Sequence, residues 1–121
     1  MTDKSPEQLV AEAKTRTREV SVSEVAQLLG KPGAPVLVDC REPRETNLGI
    51  IPGAALIPLG VIDSQIEGTT AARDAAIIIY CARGNRSALA ADALQNMGYT
   101  NVRSMAGGWM AWMTMGGPVA D

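Results

Sequence analysis

Cys81 opens a short loop that carries two arginines and a glycine, with the sequence Cys81-Ala82-Arg83-Gly84-Asn85-Arg86-Ser87. The β-branched run before it predicts a buried strand over residues 76–80, and the alanine-rich stretch after it predicts a helix over residues 87–97. A cysteine between the end of a strand and the start of a helix meets unpaired backbone N–H groups, and the arginines add positive charge. Both effects favour the thiolate and attract anions. The loop therefore predicts a nucleophilic cysteine that faces an anionic substrate.

The alternative is that Cys81 is only a packing residue, because cysteine is among the residue types most often buried. A purely structural thiol has no use for two neighbouring cations, Arg83 and Arg86. Gly84 also permits backbone conformations in which several N–H groups point inward. These neighbours favour a functional cysteine.

The chain contains no histidine, which restricts the chemistry available to it. Cys-His and Ser-His-Asp pairs are excluded, so arginines and backbone dipoles must stabilise a thiolate here. The two cysteines, Cys40 and Cys81, form neither a disulfide framework nor, without histidine, a zinc site. No metal is expected.

Length, charge and the distribution of apolar residues limit the class of protein to which the chain can belong. The chain has 121 residues, enough for one domain with a real core, and its net charge of −2 lacks the basic field that nucleic-acid binding uses. No stretch approaches the roughly 20 apolar residues of a membrane span. Residues 1–18 are polar and lack the apolar core of a secretory signal, so a cytoplasmic location is expected.

Short apolar strands alternate with helices along the chain, which indicates an α/β fold with a mostly parallel sheet between two helical layers. Strands are predicted at residues 36–39, 55–57, 76–80 and 101–105, a helical turn at 41–47, and helices at 6–18, 22–29, 61–67, 87–97 and 108–115. Ser5 and Gln8 form a capping box before the first helix. Asp39 and Cys81 each lie at the end of a strand and should share the carboxyl edge of the sheet.

Four segments, in order and at the expected spacing, make the chain resemble a single-domain rhodanese of the thiosulfate sulfurtransferase family. They are residues 36–42 (Val-Leu-Val-Asp-Cys-Arg-Glu), 49–54 (Gly-Ile-Ile-Pro-Gly-Ala), the loop of residues 81–87, and 106–109 (Ala-Gly-Gly-Trp) with Trp112. The resemblance implies a rhodanese-like three-layer sandwich over residues 20–118, preceded by an N-terminal helical extension over residues 1–19.

The resemblance also implies a double-displacement reaction without metal or organic cofactor. Cys81 would take the sulfane sulfur of thiosulfate, releasing sulfite, or of another persulfide donor. It would then pass the sulfur to cyanide or to a thiol. A partner protein is a further possible donor or acceptor of the sulfur. Arg86, with Arg83, would hold the anionic donor. Backbone N–H groups of residues 82–87 (Ala82, Arg83, Gly84, Asn85, Arg86 and Ser87) would hold the persulfide.

Other positions follow from the same resemblance. Asp39 is expected beside the loop in a supporting role, and Arg41 and Glu45 are expected to pair with each other as scaffold. Ile50 stands where the family commonly has histidine. Cys40 stands where an aliphatic residue is usual; it should pack in the core, with resolution of an oxidised Cys81 as the alternative.

Three alternatives to a thiosulfate sulfurtransferase remain. A phosphatase or arsenate reductase of the related fold needs five residues between cysteine and arginine, whereas four separate Cys81 from Arg86. A non-catalytic interaction module usually lacks the cysteine. A carrier that relays sulfur between proteins uses the same residues, and the sequence does not separate it from a free enzyme.

Overall fold

The computed structural model describes residues 3–121 and places their strands in one five-stranded parallel sheet, in the order β1-β5-β4-β2-β3. The strands are β1 (Arg18–Val20), β2 (Val36–Asp39), β3 (Ala55–Leu56), β4 (Ile77–Tyr80) and β5 (Val102–Met105). The helices are α1 (Pro6–Arg16), α2 (Val22–Leu28), α3 (Pro43–Thr46), α4 (Ile62–Thr69), α5 (Asn85–Asn96) and α6 (Gly108–Met115), with a 3-10 turn at Leu59–Val61.

The central strand β4 is buried on both faces and divides the core in two. Ile77 and Ile79 pack with side chains of α4 and α5, whereas Ile78 and Tyr80 pack with side chains of α2 and α6. Successive side chains of a strand point to opposite faces, so a continuous apolar run is what a strand between two helical layers requires. The predicted three-layer α/β sandwich is confirmed.

Helix α1 begins with the predicted capping box, in which the Ser5 hydroxyl accepts from Gln8 N and the Gln8 side chain accepts from Ser5 N. It ends at Arg16, earlier than predicted. Arg16 forms a bidentate pair with Asp92 of α5, at 3.0 and 2.7 Å, and Ala13 is fully buried. The first helix is therefore packed on the outer side of α5.

Strand β1 was absent from the predicted elements. It pairs in parallel with β5, and Val20 is buried while Arg18 and Glu19 are exposed. Three residues are too few to show a periodic pattern, so its sheet partner defines this strand. The division at residue 19 into an extension and a domain stays a prediction, while β1 spans that position as the edge of the sheet.

Two further features concern the described chain as a whole. Across residues 3–121, no helix has both the length and the apolar character that crossing a lipid bilayer requires. The same residues contain no group of three or more histidine, cysteine, aspartate or glutamate side chains arranged to hold a metal ion.

Candidate active site

The Cys81 sulfur lies inside the loop that its own strand opens. Gly84 N–H donates to the sulfur at 3.1 Å and Ser87 N–H at 3.4 Å, and the Ser87 hydroxyl lies 3.5 Å away. Ser87 belongs to the first turn of α5, where backbone N–H groups lack partners within the helix. The loop and the start of α5 thus surround the sulfur with donors that suit a thiolate.

Gly84 makes this arrangement possible. Its φ is +96°, and a Cβ there would lie 3.3 Å from the backbone nitrogen of Gly107. Only glycine adopts such a φ without steric penalty. The sequence predicted this freedom at Gly84, and the structure adds the close approach of the segment before α6.

Helix α6 holds the loop from the opposite side. Trp109 N–H donates to the Cys81 carbonyl at 2.8 Å, and Met110 N–H donates to the Ala82 carbonyl at 3.0 Å. These are first-turn donors of α6, which would otherwise lack partners. Because the loop carbonyls are bound from outside, the loop amides are left to face the sulfur.

Ser104 supports the loop and was not predicted as part of the site. Its hydroxyl lies 2.7 Å from the Ser87 hydroxyl, and both side chains are buried. Ser104 lies in β5 and Ser87 lies in α5, 17 residues apart in the chain, so the two hydroxyls meet only in the folded protein. The strand β5 reads Val-Arg-Ser-Met, so the only signal in the sequence is a small polar residue within a short strand.

The surroundings lower the pKa of Cys81 well below its usual range. The neighbouring Cys40 thiol makes the largest contribution, followed among the favourable causes by the Ser87 hydroxyl and backbone N–H, and together these outweigh burial, which raises it. The pKa of Cys40 is raised by the Cys81 sulfur and by burial. Cys81 is therefore the thiolate of the pair and Cys40 the neutral thiol.

Replacing Cys40 with alanine is expected to raise the pKa of Cys81, because the thiol that contributes most to stabilising its thiolate is removed. The rate of alkylation of Cys81 by iodoacetamide, followed against pH by peptide mapping, measures this pKa. Cys40→Ser is the matched control, since its hydroxyl still donates, and its midpoint should move less. An unchanged midpoint in Cys40→Ala would contradict the assigned role of Cys40.

Arg86 binds Glu45 rather than projecting as a free cation. Its two terminal nitrogens each donate to one carboxylate oxygen, at 2.8 Å in both cases. The hydrogen-bonded guanidinium lowers the pKa of Glu45 to about 2, so this carboxylate is charged at any physiological pH. The pair ties the end of the loop to α3.

Arg41 binds Asp39, so the expected pairing of Arg41 with Glu45 is wrong. Its Nε and Nη2 donate to the Asp39 carboxylate at 3.0 and 2.8 Å, and Nη2 also donates to the Gly49 carbonyl at 2.7 Å. The guanidinium lies 4.5 Å from the ring centroid of Trp109. Asp39 and Arg41 are two residues apart and share a face, whereas Glu45 is met by α5.

The remaining loop residues lie at the surface, with Arg83 and Asn85 exposed. Within the described residues, no carboxylate lies within ion-pairing distance of Arg83. Arg83 is therefore the loop arginine with uncompensated charge. Asp39 has its carboxylate bonded to Arg41, on the opposite face of the sheet from Cys40, and its predicted supporting role stays a prediction.

Comparison with known proteins agrees with this architecture. The Rhodanese-like domain family matches residues 21–115. A sulfurtransferase from Allochromatium vinosum is 34% identical over 101 residues, which cover 84% of this chain and 92% of that protein. The human thiosulfate:glutathione sulfurtransferase is 30% identical over 106 residues, covering 78% and 91% of the two chains.

A solved structure covers almost the whole fold. It is a Rhodopseudomonas palustris protein of unknown function, described as a possible tyrosine phosphatase, with 29% identity and a TM-score of 0.85. The match covers 99% of this chain and 97% of that one. With its three-layer fold, its cysteine loop and the extent of these matches, the chain belongs to the family of rhodanese-like domains, alongside sulfurtransferase relatives.

Proposed function

We propose that this protein is a sulfurtransferase that carries sulfur as a persulfide on Cys81. The observation that carries the proposal is the environment of the Cys81 sulfur, which receives the N–H groups of Gly84 and Ser87 and has a lowered pKa. A thiolate at neutral pH is the nucleophile that sulfur transfer needs. The same inward amides suit the terminal sulfur of a persulfide anion.

The donor in this proposal is thiosulfate or another sulfane-sulfur compound. The Cys81 thiolate attacks the outer sulfur of thiosulfate, the sulfur–sulfur bond of the donor breaks, and its electron pair leaves with sulfite. Arg83 supplies the uncompensated charge that draws the anion, since Arg86 is neutralised by Glu45. Arg86 then contributes by holding the loop against α3, and the side of its guanidinium that faces away from Glu45 can still contact the donor.

The acceptor completes the cycle by attacking the terminal sulfur and restoring the thiolate. Cyanide or a small thiol serves this role, and the human relative named for glutathione supports a thiol of that kind. A partner protein could replace the small-molecule donor or acceptor, with the same persulfide on Cys81 as the intermediate. The cytoplasmic location expected from the sequence stays a prediction.

Intact mass of the reduced protein after incubation with thiosulfate tests the proposal. The wild type is expected to gain one sulfur atom, and Cys81→Ser is expected to gain none because the attacking thiolate is absent. Cyanide should then remove the sulfur from the wild type as thiocyanate. No gain in the wild type, together with hydrolysis of an aryl phosphate, would overturn sulfur transfer in favour of phosphatase chemistry.

A further inference from the structure

Cys40 and Cys81 are neighbours across two adjacent strands. In the register of β2 with β4, Asp39 lies opposite Tyr80, so each cysteine is the first residue after its strand. Cys40 N–H donates to the Tyr80 carbonyl at 2.9 Å, which continues the pairing by one step. Adjacent strands are about 4.8 Å apart. This spacing falls within the range of about 4.4–6.8 Å that a disulfide allows between Cα atoms.

The two side chains also lie on one face of the sheet. Both belong to the apolar cluster formed with α4 and α5, and each residue is only 1% exposed. The Cys40 thiol makes the largest contribution to the lowered pKa of Cys81, as expected for a thiol that lies beside that sulfur. A buried thiol in this position is closed to large external reagents, and the group it meets is the sulfur of Cys81.

We propose that Cys40 is an internal acceptor that resolves the Cys81 persulfide, releasing hydrogen sulfide and leaving a Cys40–Cys81 disulfide. The proposal rests on the proposed function, because it needs a persulfide on Cys81. It adds an activity to that function: thiosulfate becomes a source of sulfide as well as of transferable sulfur.

The step balances without any further oxidant. The Cys40 sulfur attacks the inner sulfur of the persulfide anion, the Cys40–Cys81 bond forms, and the bond to the terminal sulfur breaks. The thiol proton of Cys40 passes to the departing sulfur, which leaves as hydrosulfide. The sulfane sulfur is reduced and the two cysteine sulfurs are oxidised to the disulfide. A dithiol reductant then restores both thiols.

The environment of Cys40 determines the rate of this step. Its thiol is held neutral, and a neutral thiol is a weaker nucleophile than an external thiolate. Transfer to an abundant acceptor therefore outruns internal resolution, and sulfide release dominates when acceptors are scarce. The proximity of the two sulfurs compensates in part for the weak nucleophile.

The test uses reduced, desalted protein under anaerobic conditions, with thiosulfate as the only added sulfur compound. We expect the wild type to release up to one equivalent of sulfide per chain and to lose both alkylatable thiols. Peptide mapping should recover residues 40 and 81 in one linked species, and adding dithiothreitol should restart sulfide release. Cys40→Ala and Cys40→Ser should instead keep the added sulfur on Cys81 and release no sulfide.

The outcomes separate the two proposals. A wild type that holds a stable persulfide, without sulfide or disulfide, overturns internal resolution and leaves sulfur transfer intact. Movement of the added sulfur onto Cys40, or equal sulfide release from Cys40→Ala, also overturns it. If neither the wild type nor Cys40→Ala takes up sulfur, the proposed function itself fails. Persulfide formation in the Cys40 variants shows in the same experiment that they are folded.

Discussion

Asp39→Asn is expected to lower the free energy of unfolding by about 3–5 kcal/mol, the range for breaking a buried ion pair by removing one partner. The side chains of Asp39 and Arg41 are 0% and 4% exposed. Asparagine keeps the shape of aspartate but leaves the Arg41 guanidinium buried without a counter-charge. The hydrogen bond of Arg41 to the Gly49 carbonyl does not supply that charge.

Urea denaturation of the wild type and Asp39→Asn measures the difference. Glu12→Gln is the matched control, because Glu12 pairs with Lys4 at 2.8 Å on an exposed surface. Removing that pair should change stability by about 0.5 kcal/mol or less. A loss below about 1 kcal/mol in Asp39→Asn would contradict the stabilising role assigned to the Asp39–Arg41 pair.

Gly108→Ala is expected to slow persulfide formation by about a hundredfold, the scale on which displacement of reacting groups by an ångström acts. A Cβ at Gly108 would clash with the Cys81 carbonyl oxygen and would lie 2.8 Å from the Ala82 carbonyl carbon. These are backbone atoms of the active loop, so the loop or α6 must move. The φ of +57° adds strain, and a stability loss of about 1–3 kcal/mol is expected as well.

Rates of sulfur uptake from thiosulfate, read by intact mass, distinguish this effect from simple destabilisation. In Gly68→Ala, the control, the new Cβ meets nothing within 4 Å and the residue lies inside α4. That variant should gain about 0.5–1 kcal/mol of stability from helix propensity and keep its rate. A wild-type rate in Gly108→Ala would show that α6 does not set the geometry of the loop.

The sequence was informative wherever a local pattern carries the signal. The strands that became β2 and β4 are short apolar runs that end in turn residues, and the loop after β4 combines cysteine, arginine and glycine. The start of α1 could also be predicted, because its capping residues form a local pattern. The edge strand β1 is the counterexample, because three residues with one buried side chain have no readable period.

The charged residues of the site show where sequence reasoning fell short. Arg41, Glu45 and Arg86 are all visible in the sequence, but which carboxylate each arginine meets depends on strand alternation and on the position of α5. The expected pairing of Arg41 with Glu45 was wrong on this account. Among residues 3–121, these pairings leave Arg83 as the loop arginine without an ion-pair partner.

By itself the sequence determined the α/β layering and the resemblance to the rhodaneses, and it predicted a nucleophilic cysteine in the Cys81 loop, because these follow from local periodicity, residue type and spacing. Only the tertiary structure decided which distant groups meet. It brought Cys40 beside Cys81, Ser104 beside Ser87 and the first turn of α6 onto the loop carbonyls. Such contacts join residues far apart in the chain, and strand register and helix packing, not neighbouring residues, set their geometry.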